Sequence, residues 1–275
     1  MYLGIDIGGT KTLVAALDNN GVIVEKYKFA TPKDYSNFCN ELSKIIDQFV
    51  NKKFIAVGVG LPATIIDRER GLGVVFGNLP WREIPIQSDI NQLLNTPVVI
   101  ENDAKMAALS EYMLLKETSH YKKVLYVTIS TGIGFGLVND GVIDDNFGDG
   151  GGAEMMVEHD GQEVPWESFA SGKAIAERFG KQASEIHDDK TWQIIAQNIA
   201  IGLIDIIALT QPEIIMLGGG VGAHSEQLLK PLSAALKIYE NPLLPIPPIR
   251  QAGRPELAVI YGCYDLSKAN YEPDN

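Results

Sequence analysis

Asp6-Ile7-Gly8-Gly9-Thr10-Lys11 sets one carboxylate, two adjacent glycines, a hydroxyl and a lysine between two apolar runs. Adjacent glycines let backbone N–H groups converge on an anion, because no Cβ blocks the approach. Asp6 at the rim of such a turn could hold Mg²⁺ through its water shell, since that ion takes few carboxylates and keeps several waters. Taken alone, the segment equally describes a β-hairpin with Gly-Gly in its turn. The chain then does the same thing again. Val124-Leu125-Tyr126-Val127-Thr128-Ile129-Ser130 turns through Thr131-Gly132-Ile133-Gly134 and returns as Phe135-Gly136-Leu137-Val138. Each copy ends in an Asn/Asp-Gly turn, Asn20-Gly21 and Asp140-Gly141, before a further strand. Two copies of this length suggest a duplicated α/β half, and two facing phosphate loops suit a nucleotide.

Asp103 is the sharpest candidate for chemistry. It follows a buried strand and Asn102 at the start of a helix, where a carboxylate could accept the proton of a substrate hydroxyl. The competing reading is an ordinary helix cap, since Asn and Asp both cap well. A third glycine run, Gly218-Gly219-Gly220-Val221-Gly222, follows an apolar strand at Glu213–Leu217.

These residues need elements to position them. Three strands are expected between Tyr2 and Phe29, then a helix whose stripe is Phe38, Leu42, Ile45, Ile46 and Phe49. Strands at Phe54–Gly60 and Pro97–Ile100 follow, the second running into a helix through Ala104, Ala107, Ala108 and Tyr112. Ile199–Leu209 is apolar, but it is short for a membrane span and Asp205 interrupts it, so it reads as a buried helix. Alternating strands and helices predict α/β architecture with active residues at strand ends. A hinge is expected around Leu114 to Ser119, giving lobes of residues 1–118 and 119–261, with a terminal helix at about 262–275 packing back on the first.

Composition narrows little else. The 275 residues are enough for two cores, and a net charge of −12 disfavours nucleic-acid or anionic-membrane surfaces. Cys39 and Cys263 are the only cysteines, which fits a reducing cytoplasm rather than a disulfide framework. Met1 runs straight into the first strand, so neither a signal peptide nor an N-terminal DNA-binding module is expected.

Asp6–Lys11, Val98-Val99-Ile100-Glu101-Asn102-Asp103-Ala104, Ser130–Gly134 and Gly218–Val221 stand in the order found in ROK-family sugar kinases, which the chain resembles over nearly its whole length. The resemblance implies a two-lobed, actin-like (ribonuclease H-like) duplicated α/β fold with a cleft between the lobes. It implies ATP and Mg²⁺ as cofactors, with Asp6 as the metal-associated carboxylate and Gly8, Gly9, Thr10 and Lys11 around the γ-phosphate. It likens Thr131, Gly132 and Gly134 to the second phosphate loop and Gly218, Gly219 and Gly220 to the adenosine-side loop. Asn78, Asn102, Asp103, Glu154 and Glu167 resemble the sugar ligands, with Asp103 as catalytic base. A sugar and a nucleotide are the implied partners, closure of the lobes the implied motion, and a homodimer is compatible with both.

One departure stands out. Most members of that family carry Glu-x-Gly-His and a cysteine cluster that together hold structural zinc. Here Glu154 is followed by Met155-Met156-Val157, and no cysteine is near. His159 alone cannot build a tetrahedral site and reads as a solvated loop side chain, so no zinc is expected. The expected reaction is transfer of the γ-phosphoryl group to a hexose hydroxyl, the 6-hydroxyl of a glucose-like sugar. The alternatives are a non-enzymatic sugar sensor, a polyphosphate donor, or another acceptor such as mannose, fructose or an N-acetylated amino sugar.

Overall fold

Hydrophobic patterning assigns each strand its place in the computed structural model, which describes residues 1–272. Positions 273–275 of the expected terminal helix lie outside the described residues. The chain divides into two compact units, Met1–Met113 with the chain from Leu257 onward, and Leu114–Glu256.

The first unit opens with β1 (Tyr2–Ile7), β2 (Lys11–Leu17) and β3 (Ile23–Ala30), followed by α1 (Tyr35–Ile46) and β4 (Val57–Leu61). A separate antiparallel sheet of β5 (Ala63–Asp67), β6 (Leu72–Phe76) and β7 (Arg82–Ile84) intervenes. Then come α2 (Ile86–Leu94), β8 (Val98–Asn102) and α3 (Asp103–Lys116), whose last turn lies past the unit boundary. The main sheet has the order β3-β2-β1-β4-β8. β1, β2 and β3 pair antiparallel, while β1, β4 and β8 run parallel. Central β4 is buried throughout and edge strand β3 alternates, as expected for strands covered on two faces and on one.

Two boundaries differ from the sequence expectation. The strand expected from Phe54 begins at Val57, opposite Leu3, with the Ile55 N–H still donating to the Met1 carbonyl at 2.8 Å ahead of it. Helix α1 stops at Ile46, so Phe49 joins the core from the following turn.

In the second unit, β9 (Lys123–Ile129), β10 (Ile133–Asn139) and β11 (Val142–Ile143) repeat the opening meander. The hairpin β12 (Met156–His159) and β13 (Gln162–Pro165) precedes α4 (Glu167–Ala170), α5 (Gly172–Phe179) and α6 (Asp189–Thr210). The unit ends with β14 (Ile214–Gly218), α7 (Gly219–Gly222), α8 (Ser225–Lys237) and β15 (Ile249–Gln251). Its sheet order, β11-β10-β9-β14-β15, matches the first sheet strand for strand, with the same parallel and antiparallel senses. The expected duplication is present. Helix α6 starts ten residues before the expected Ile199, capped by the Asp188 carboxylate on the Thr191 N–H. By length and composition α6 could cross a membrane, yet Trp192, Ile195, Ile199, Leu203 and Ile206 are buried in this unit's core.

Helix α9 (Ala258–Tyr271) returns to the first unit and packs on β1 and β4. Its approach needs glycines. A Cβ on Gly58 would run into the Cys263 backbone, and one on Gly262 into the Met106 carbonyl. Gly58→Ala is therefore expected to lower the unfolding free energy by about 1–3 kcal/mol, whereas Gly148→Ala, with open space around it, changes it by less than about 0.5 kcal/mol. Urea denaturation of both variants checks this, and equal midpoints would contradict the packing.

Candidate functional site

The carboxyl ends of the parallel strands β1, β4 and β8 gather the chemistry of the first unit. Asp6 on β1 is opposite Gly60 on β4, and Gly60 is opposite Glu101 on β8. Gly60 has no side chain to separate its neighbours; an added Cβ would strike Val259 and lie 3.7 Å from Asp103 Cα. The Asp6 carboxyl is pushed from 3.8 up to about 7, first by loss of hydration and then by the charge of Asp103, with Lys28 opposing both. A poorly hydrated carboxylate with a second negative charge beside it calls for a cation. This donor set fits a magnesium ion held by Asp6 through water.

Asp103 is the first residue of α3 and is half-buried. The helix cap is Asn102: its Oδ1 accepts the Ala104 N–H at 2.9 Å and the Lys105 N–H at 3.2 Å. Its Nδ2 donates to the Ala63 carbonyl at 3.1 Å. Asp103 Oδ1 also accepts the Ala104 N–H, at 2.8 Å, so Asp103 and Asn102 share the capping role that the sequence offered for Asp103. Arg68, absent from the sequence reading, grips Glu101 through two nitrogens, Nε at 2.9 Å from Oε2 and Nη2 on Oε1. Glu101 in turn accepts the Asn102 N–H at 2.6 Å. A bidentate pair of this kind fixes orientation as well as distance. Arg68 and Glu101 are 33 positions apart, and nothing in either local pattern signals the pairing.

The first glycine turn closes through the Gly8 N–H on the Lys11 carbonyl at 2.9 Å. Asn78 backs directly onto it: a Cβ on Gly9 would lie 2.6 Å from Asn78 Cβ. Thr10 and Lys11 are exposed, and Lys11 opens β2 opposite Ala30.

The second glycine turn is built alike. The Ser130 N–H donates to the Gly132 carbonyl at 2.8 Å, and Gly134 continues into β10 opposite Thr128. Ser130 accepts the Gly172 N–H at 2.6 Å, which seats the start of α5 beside the turn. Gly219 takes φ +76°, and a Cβ there would lie 2.5 Å from the Ile129 carbonyl, so the Gly218–Gly220 segment needs glycine to pass this turn. A cavity of about 720 Å³ opens alongside, lined by Thr131, Lys173, Glu177, Gly220 and His224 among others.

Glu154 and Glu167 are separately placed. The Glu154 carboxylate folds over Gly150, while Glu167 lies over Gly132 and accepts the Ile133 N–H at 2.7 Å. Glu167 is therefore part of the second glycine turn, which its sequence position did not disclose.

The segment between these glutamates carries His159 and no cysteine. It forms the β12–β13 hairpin, extended by the Trp166 N–H on the Met155 carbonyl at 2.8 Å. His159 is not a solvated loop side chain as expected: it stacks on Phe169 with ring centroids 3.9 Å apart, and Asp160 is 3.4 Å from its Nδ1. Among the described residues, no three His, Cys, Asp or Glu side chains cluster as a metal site.

Two sheets of matching order, each with a glycine turn after its first strand, define the two-lobed actin-like fold. The chain belongs to the ROK family, whose profile matches residues 2–270. It is 30% identical over 275 residues to an N-acetylgalactosamine kinase of Shewanella sp. strain ANA-3, covering 87% of each chain. It is 25% identical to a glucokinase of Streptomyces coelicolor, covering 100% of this chain and 98% of that one. A solved ROK family glucokinase from Streptomyces griseus, in complex with glucose and AMPPNP, superposes with a TM-score of 0.80 at 23% identity, covering 98% and 99% of the two chains.

The raised Asp6 carboxyl has a consequence for stability. Between pH 3.8 and about 7 the folded chain holds a proton here that the unfolded chain has lost, so this group makes stability fall as pH rises through that window. Asp6→Asn should flatten that fall and raise Tm more at pH 8 than at pH 5. Thermal unfolding across this range measures it; an identical slope in the variant would contradict the assignment.

Proposed function

We propose that the chain is a sugar kinase that transfers the γ-phosphoryl group of ATP to a hydroxyl of a hexose, the 6-hydroxyl of a glucose-like sugar. The observation that carries this reading is Asp103, held next to Asp6 at the ends of parallel strands by the Asn102 cap. In the proposed reaction Asp103 takes the proton of the sugar hydroxyl as its oxygen attacks the γ-phosphorus. The bond from the γ-phosphorus to the bridging oxygen breaks, and ADP leaves with that electron pair. Magnesium bound near Asp6 would offset charge on the phosphates. Asn78, Asn102, Glu154 and Glu167 are the proposed sugar contacts. Gly8, Gly9, Thr10 and Lys11, with Thr131, Gly132 and Gly134, are the proposed phosphate contacts, and Gly218–Gly220 the adenosine side.

Several facts support the finer points. The cavity of about 720 Å³ beside the second glycine turn is of the size that takes a small ligand such as a nucleoside, which favours ATP over polyphosphate. The relatives named above include kinases for glucose and for N-acetylgalactosamine, so a hexose is the proposed acceptor class. A non-enzymatic sensor would have no need to hold two carboxylates where their charges oppose each other. Nucleotide chemistry on a protein of this kind is consistent with a cytoplasmic location, and no nucleic-acid or membrane partner is proposed.

Asp103→Asn should leave the fold intact, because Asn102 caps the helix, and should lower kcat by roughly 10²–10⁴-fold. Steady-state kinetics with ATP and Mg²⁺ decide it, and near-normal turnover would remove Asp103 as the base. We further expect elemental analysis to find no stoichiometric zinc, and chelation to stop turnover without lowering Tm. A zinc whose removal melts the protein would contradict this.

A further inference from the structure

We propose that Thr31 and Lys33 are positioning residues that set the first glycine turn as a polyphosphate site, an inference that rests on the kinase reading above. All three carbonyls of the turn are held by this one short segment. The Thr31 hydroxyl donates to the Gly8 carbonyl at 2.8 Å, and the Thr31 N–H donates to the Thr10 carbonyl at 2.9 Å. The Lys33 ammonium donates to the Gly9 carbonyl at 3.0 Å and, in the same grip, to the Asn78 carbonyl at 3.1 Å.

The planar trans peptide turns these contacts into aim. In each peptide the C=O and the next residue's N–H point in opposite directions. Holding the Gly8 carbonyl orients the Gly9 N–H, and holding the Gly9 carbonyl orients the Thr10 N–H, each away from the Thr31–Lys33 segment. Among the described residues no hydrogen bond engages either N–H. Consecutive N–H groups fixed on one side of a glycine turn form an anion nest. An ammonium on the far carbonyl also polarises the peptide, which strengthens the opposed N–H as a donor.

The holding segment is itself anchored. The Thr31 hydroxyl spends its only proton on Gly8, so at 2.9 Å it accepts from Thr12, and both side chains are buried. Pro32 restricts the backbone between the two residues. The Lys33 carbonyl accepts Nε1 of buried Trp81 at 3.0 Å, and Trp81 packs against Tyr35, Phe38 and Phe76. Lys33 therefore acts through the turn with its side chain, whereas Lys11, the lysine that the sequence singled out, closes the turn through its backbone carbonyl on the Gly8 N–H.

The test compares Lys33→Met, Lys33→Arg and Thr31→Val with the parent protein. Lys33→Met should raise KM for MgATP roughly tenfold, the scale of one charge-assisted hydrogen bond, and leave KM for the sugar within about twofold. Lys33→Arg should recover most of the loss, and Thr31→Val should shift MgATP in the same direction. Calorimetric titration with inorganic tripolyphosphate should show the same weakening in Lys33→Met. An unchanged tripolyphosphate affinity, or a parallel rise in both KM values with a lowered urea midpoint, would overturn the proposal. A parent protein that phosphorylates no hexose would instead count against the kinase reading, and tripolyphosphate binding would still judge Lys33.

Discussion

The burial of the Asp6 carboxyl beside Asp103 is the constraint around which the site of the first unit is organised. Loss of hydration at Asp6, and after it the charge of half-buried Asp103, lifts the Asp6 carboxyl to about 7. A fold keeps such an arrangement only if the surrounding elements hold it in place. Here the parallel pairing of β1, β4 and β8 fixes the backbone, Gly60 leaves the gap, and the Asn102 cap with the Arg68–Glu101 pair fixes the start of α3. Together they hold an arrangement that costs stability at neutral pH. A bound cation and a proton-donating hydroxyl are the two chemical species that would relieve it, which is why the arrangement reads as a site for phosphoryl transfer.

The same backbone solution is used twice. A strand, a glycine turn and a returning strand stand at the centre of both sheets, and in both the turn is braced by side chains and backbone from elsewhere in its own unit. Thr31 and Lys33 brace the first, Glu167 and the start of α5 the second. The bracing differs in sign. A cation holds the Gly9 carbonyl of the first turn, while a carboxylate occupies an N–H of the second. Two turns at corresponding places in their sheets are thereby made chemically unequal.

Much of this was legible in the sequence, for physical reasons that can be named. The hairpins of both halves announce themselves through β-rich runs and Asn/Asp-Gly turns, and α1 through a clean apolar stripe. Asp6 and Asp103 stand out because a carboxylate at the end of an apolar strand is costly without a use. Other features were hidden. β5, β6 and β7 are short, with glycines and bulges that break the alternation, so no period marks them. The first turns of α6 mix Trp192 and Ile195 with Gln193 and Gln197, which conceals the start of a helix that is apolar only further on. Arg68 with Glu101, Lys33 with Gly9 and Glu167 with Ile133 are pairings between distant segments, and local composition carries no trace of them.

The central claim is that the carboxylate pair serves phosphoryl transfer to a hexose. The most direct measurement is phosphorus NMR of the protein with MgATP and each of a panel of hexoses, glucose, mannose, fructose and their N-acetylated amino relatives. The account predicts that at least one sugar gives a sugar-phosphate resonance growing in step with ADP, at a rate far above the release of inorganic phosphate without sugar. A hexose that binds while ATP stays intact, for every sugar tried, would contradict it.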